Sequence, residues 1–170
     1  MRITLLAIPL ALLALPALAG DLRQQVLEQL GGIEDAPTQA SLSALGPGVA
    51  AELMELAEDT TLPHTRRARA LHALGWFPSE ETHAVLTAAL DGQDALFARK
   101  AAYALANGWG ERALDDLSRA LSSDDVQLRI AAANALGNVG TEASKALLDQ
   151  RLPVETVPAV RETIEKNSKR

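Results

Sequence analysis

ALHALGWF (70–77), AAYALANG (101–108) and AANALGNV (132–139) are three copies of one pattern. Their anchor leucines, Leu74, Leu105 and Leu136, are evenly spaced. The same shift carries Leu86 to Leu117 to Leu148, and Leu90 to Leu121 to Leu152. Separate leucine columns in one register mark a stacked repeat architecture.

Each unit divides into two short helices. The first is Ala-rich, as in RIAAANALG (129–137), and its small side chains let neighbouring helices approach closely. The second, as in ERALDDLSRAL (111–121), carries Leu114, Leu117 and Leu121 at i, i+3 and i+7, a one-sided apolar stripe. Polar turns close the units: EDTT (58–61), DGQD (91–94) and SSDD (122–125), whose Asp, Ser and Thr residues suit N-caps of the next helix. An earlier, less regular copy, SLSALGPGVAAELMELAED (41–59), places Leu45 and Gly46 where Leu74 and Gly75 sit, with Leu53, Leu56 and Ala57 in its second helix.

Outside the repeats, DLRQQVLEQL (21–30) puts Leu22, Val26, Leu27 and Leu30 on one helix face, with Asp21 as the expected cap and Gly31-Gly32 as the stop. VPAVRETIEKNSKR (157–170) starts as another first helix, with Pro158 in its first turn, and then becomes charged. The expected organisation is a leader at 1–19, an N-terminal capping helix at 20–36 and repeats at 37–62, 63–92, 93–123 and 124–153. A C-terminal capping helix and tail occupy 154–170.

GWGERA (108–113) has the Gly-x-Gly-x-x-Ala spacing of a dinucleotide-binding turn. That fingerprint needs a strand before the glycines. Here they follow the helix RKAAYALAN and recur between helices in GPGVAA (46–51), so they are read as chain reversals. No cofactor is expected.

The opening MRITLLAIPLALLALPALAG has Arg2, an apolar run from Ile3 to Leu15 and Ala17-Leu18-Ala19 before Gly20, the layout of a secretory signal peptide cleaved after Ala19. The expected location is therefore periplasmic or secreted, with no stable membrane insertion after cleavage. There are no cysteines, so packing alone holds the fold. Aromatics are only 3% of a chain that is 48% hydrophobic, which leaves Leu and Ala to build the core. The formal charge is −6, or −7 without Arg2. Eight acids between Gly20 and Leu62 face Arg23 alone, and no basic footprint for nucleic acid is visible.

DDVQLRIAAANALGNVG followed by TEASKALLDQRL resembles a HEAT repeat, of the short type named after phycobilisome lyases: an Arg, an Ala cluster, Ala-Leu-Gly, a turn and a leucine-striped second helix. The resemblance covers about residues 37 to 153. In the third repeat Ala106 replaces the Gly and Ala98 takes the Arg slot, with Arg99 one place along. A ladder of Asp and Arg between repeats is therefore not expected to be complete. The resemblance implies an all-α right-handed solenoid of about four hairpins with end caps, and an extended surface suited to recognition.

Chemistry is sparse. His64 and His72 are eight apart, not the i, i+4 of a zinc helix, and His72 aligns with Tyr103 and Asn134 in a column expected at the surface. Adjacent carboxylates such as Asp115-Asp116, Asp124-Asp125 and Glu80-Glu81 diverge on a helix and lie near helix starts. No catalytic or metal site is expected.

All five aromatics fall between residues 76 and 109. Phe97 is expected in the core. Trp76, Phe77 and Trp109, in turns of consecutive repeats, with Tyr103, form the candidate partner-binding patch; the competing reading is that they cover the ends of an Ala-thin core. The expected function is an exported scaffold for a protein partner. Two alternatives are a bilin lyase-like subunit, which the resemblance implies, and ligand or cation binding by the acidic N-terminal third.

Overall fold

A computed structural model describes residues 15–32 and 36–170. Residues 1–14 of the expected leader lie outside the described residues. Ten α-helices run through the described chain: α1 (Leu15–Gly31), α2 (Gln39–Ser43), α3 (Val49–Glu58), α4 (His64–Ala73), α5 (Glu80–Leu90), α6 (Ala95–Trp109), α7 (Leu114–Leu121), α8 (Val126–Val139), α9 (Glu142–Arg151) and α10 (Pro158–Ser168). Short 3-10 turns follow α4, α6 and α9, and no strand occurs among the described residues. The chain is an all-α solenoid.

The leucine columns explain the stacking. Leu74, Leu105, Leu136, Leu86, Leu117 and Leu148 are all fully buried, and Leu90 and Leu121 nearly so. The Ala-rich helices α4, α6 and α8 pack in succession, and α10 adds to the end of the same layer against α8. Each second helix, α3, α5, α7 and α9, lies against the first helix of the following unit, while the second helices touch one another only lightly. Alanines such as Ala101, Ala102, Ala132 and Ala133 fill the seam, so one core of small aliphatic side chains runs along the stack.

The glycines serve two purposes, and only the first is apparent from the sequence. Gly46 and Gly48 have φ of 98° and 97° and turn the chain between α2 and α3, while Gly110 and Gly140 end α6 and α8. Gly75 works by closeness instead: a β-carbon there would stand 2.6 Å from the Ala104 carbonyl oxygen, so the 3-10 turn after α4 and the body of α6 meet backbone to backbone.

The ends depart from expectation. In the first unit α2 has only five residues, and Leu42 fills the core while Leu45 stays half-buried. Asp21 lies inside α1 rather than at its start, and its carboxylate accepts a hydrogen bond from Gln25 Nε2 at 2.7 Å. α1 packs on α3 and α4 through Val26 and Leu30. Arg23, the single base in the acidic third, donates to Glu52 at 2.7 Å and also to Asp59, tying α1 to α3.

Turn chemistry sets some of the other helix starts, but not that of α4: EDTT supplies no cap, because Asp59 accepts from the Thr61 amide at 2.9 Å within the turn and Pro63 stands at the N-cap. Asp94 accepts from the amides of Leu96 and Phe97 at 3.0 and 3.1 Å, and Asp125 caps α8 in the same way. Ser79 and Thr82 form a reciprocal capping box on α5.

Candidate partner-binding site

None of the five aromatic side chains is enclosed in the core. Trp76, Phe77, Phe97, Tyr103 and Trp109 are all partly buried and pack against its margin. Phe97, expected inside, instead meets two side chains of α4: the imidazole of His64, stacked at 5.0 Å, and the guanidinium of Arg67 at 5.1 Å. It also lines an apolar groove of about 510 Å³ with Leu71, Val85, Ala88 and Ala57.

The two tryptophans have different neighbours. Trp76 meets the edge of His72, with ring centres 6.2 Å apart, and lines a cavity of about 260 Å³ with Arg69, His72 and Lys100. Arg69 is fixed there by donating to the carbonyls of Leu30 and Gly32 at 2.8 and 3.2 Å. Trp109 instead leans on His83, 5.2 Å away on α5. His83 Nε2 lies 3.1 Å from Asp116, whose other oxygen holds Arg119 at 3.0 Å. Each indole thus pairs with its own histidine. Phe77 ends the turn after α4, and its carbonyl accepts from Thr82 Oγ1 at 2.8 Å. Tyr103 lies mid-way along α6.

The column of His72, Tyr103 and Asn134 is half-buried rather than at the surface. His72 Nδ1 is buried without a hydrogen-bond partner among the described residues, and burial, with Lys100 nearby, lowers the imidazole pKa. Asn134 Oδ1 accepts from Asn167 Nδ2 at 3.0 Å. The three histidines keep separate partners, and no group of three or more His, Cys, Asp or Glu is placed to hold a metal ion among the described residues.

The strongest polar arrangement lies away from the aromatics and is not apparent from the repeat pattern. Glu155, in the turn before α10, is only 3% exposed. Its carboxylate accepts from Arg129 Nε and Nη2 at 2.9 and 3.1 Å, from Arg151 Nη2 at 2.9 Å, and from the amides of Thr156 and Val157 at 3.1 and 3.0 Å. Burial pushes the carboxyl pKa up, but hydrogen bonds from Arg129, Val157 and Arg151 and the charge of Arg129 outweigh it and hold the group at about 2. Arg129 Nη1 also takes the carbonyls of Ser123 and Asp124 at 2.8 and 3.1 Å. This single rung pins α8, α9 and α10. The column that holds Arg129 also holds Arg67 and Ala98, and Arg67 donates to the Ala57 carbonyl instead, so the column alone does not point to Glu155.

Stacked helix pairs with this seam define a helical repeat protein of the solenoid class. Residues 85–168 match the family model for HEAT repeats. The match is to HEAT repeats in general and does not reach the phycobilisome-lyase type. Human deoxyhypusine hydroxylase, solved in complex with glycerol, is similar in fold, with a TM-score of 0.58 at 23% identity. The likeness covers 88% of this chain and 62% of that one, so this chain spans less than two thirds of its length. No curated protein matches.

Proposed function

We propose that this protein is an exported HEAT-repeat scaffold that binds a protein partner through the margin of its stack. HEAT repeats generally serve as protein-interaction scaffolds. The observation that carries the reading is the placement of Trp76, Phe77, Tyr103 and Trp109 at the margin of a core otherwise made of Leu, Ala, Val and Ile. Large aromatics that the core does not enclose are the side chains that dominate binding energy at interfaces.

Trp76→Ala and Trp109→Ala are each expected to weaken capture of the partner about 30-fold, an interface hot-spot effect of about 2 kcal/mol, with the helical circular-dichroism signal unchanged. Thermal melts decide between the readings: if both variants melt far below the parent, the rings serve the core and the binding reading fails.

Export rests on the leader pattern before Gly20. N-terminal sequencing of the chain from the exported fraction is expected to begin at Gly20. A chain retained inside the cell and starting at Met1 would contradict it.

A further inference from the structure

The cradle around Glu155 has a counterpart one unit earlier, built with different side chains. A shift of one repeat period, the step from Leu136 back to Leu105, carries Glu155 to Asp124, Arg129 to Ala98 and Arg151 to Ala120. The two carbonyl positions that Arg129 engages, Ser123 and Asp124, become Gly92 and Gln93. All five of these earlier positions line a single cavity of about 410 Å³ between the ends of α5 and α7 and the starts of α6 and α8.

In the later unit the corresponding space belongs to the planar head of Arg129, held by a bidentate carboxylate and two carbonyls. In the earlier unit both arginines are alanine, while the acid and the turn remain. Ala98 and Ala120 are nearly buried, at 2% and 4% exposure, while Asp91, Gly92, Gln93 and Asp124 are exposed, so the space is a cleft open to solvent with the two alanines deep in it. Leu90 and Leu128 stand in its wall, where a methylene stem would run.

Charge agrees with a cationic occupant. Of the three acids that line the cavity, Asp91 holds Arg119 and Asp125 caps α8, which leaves the Asp124 carboxylate to face a cation. Arg119 is already engaged, by Asp91 at 3.3 Å and Asp116 at 3.0 Å. A guanidinium, with five donors in a rigid fork, matches a carboxylate beside turn carbonyls; an ammonium has no such fork.

We propose that this cavity receives the guanidinium of an arginine side chain presented by a partner protein, supplying from outside the group that Arg129 supplies within the next unit. The proposal rests on the scaffold reading above. An apolar stem leading to a planar cation is the shape of an arginine side chain, and Arg129 shows that this seam accepts one from a polypeptide.

The test uses the full chain and a capped amino acid, so that its failure bears on the cavity alone while the tryptophan variants judge the scaffold reading. N-acetyl-arginine methylamide is titrated against the protein with NMR detection, beside the matching lysine and citrulline compounds and free arginine. The capped arginine compound is expected to give saturable shifts at the amides of residues 91–98 and 119–128, with the lysine and citrulline compounds at least tenfold weaker. Asp124→Asn is expected to weaken the arginine response at least tenfold. Ala98→Arg is expected to raise the melting temperature and abolish the response, because the chain then fills its own cradle.

Equal responses to arginine and citrulline compounds, or binding that survives Asp124→Asn, would overturn the proposal. Tighter binding of free arginine than of the capped compound would assign the cavity to a small molecule and overturn the protein source. A less stable Ala98→Arg would show that the cavity does not have the shape of the Arg129 cradle.

Discussion

Glu155→Gln is expected to cost about 3–5 kcal/mol of stability at neutral pH, the range for removing one member of a buried ion pair. Glutamine keeps the shape but leaves Arg129, whose side chain is 9% exposed, without its counter-charge. It also gives up the charge that Arg151 and the amides of Thr156 and Val157 address. The pH dependence distinguishes this from a packing defect. The folded-state pKa of Glu155 is depressed from 4.5 to about 2, so its stabilisation is fully present above 4.5 and is lost as pH falls through about 2. The gap between parent and variant, measured by urea unfolding, should therefore be widest near pH 7 and narrow steadily below pH 4.5. A gap that stays constant with pH would mean that the carboxylate is not ionised against Arg129. Replacing both partners with apolar side chains, Arg129→Met with Glu155→Leu, is expected to cost far less than the single change.

Leu105→Ala is expected to cost about 2–5 kcal/mol, the range for a fully enclosed leucine whose site cannot collapse. Leu105 is at 0% exposure on α6, which packs on both α4 and α8. The consequence reaches beyond one helix. In a solenoid each unit is stable only against its neighbours, so a cavity in the central unit weakens both interfaces at once. Chemical denaturation followed by circular dichroism checks the magnitude; a loss under about 1 kcal/mol would show that Leu105 does not fill the seam.

The stack was legible in the sequence because burial imposes a period. Leu74, Leu105 and Leu136 recur at equal intervals since each fills the same place between adjacent first helices. The ends were harder to read, since a terminal unit has no neighbour to copy. Asn167 falls one period after Leu136 and is 1% exposed, yet it is polar: its amide bonds Asn134 and the Thr163 carbonyl, and it fits because Gly137 has no side chain to meet it.

The aromatic positions show a second limit. Turn location alone pairs Trp76 with Trp109, which stand slightly farther apart than one period, but it does not reveal that each indole packs on a different histidine, His72 and His83. The Glu155 rung was hidden for a related reason. In the register that pairs Arg129 with Glu155, Arg67 is matched to Gln93 and Asp124 to Ala98, so no column of paired charges runs along the chain. In the structure Arg67 is used differently, donating to the Ala57 carbonyl at 3.0 Å while covering Phe97.

Native-state amide hydrogen exchange, compared between the parent chain and Leu105→Ala, tests most directly whether the units share one core. If they do, protection should fall together in α4, α6 and α8, because the three helices open through the same seam. Faster exchange confined to α6, with α4 and α8 unchanged, would show units that stand independently and would contradict the solenoid account.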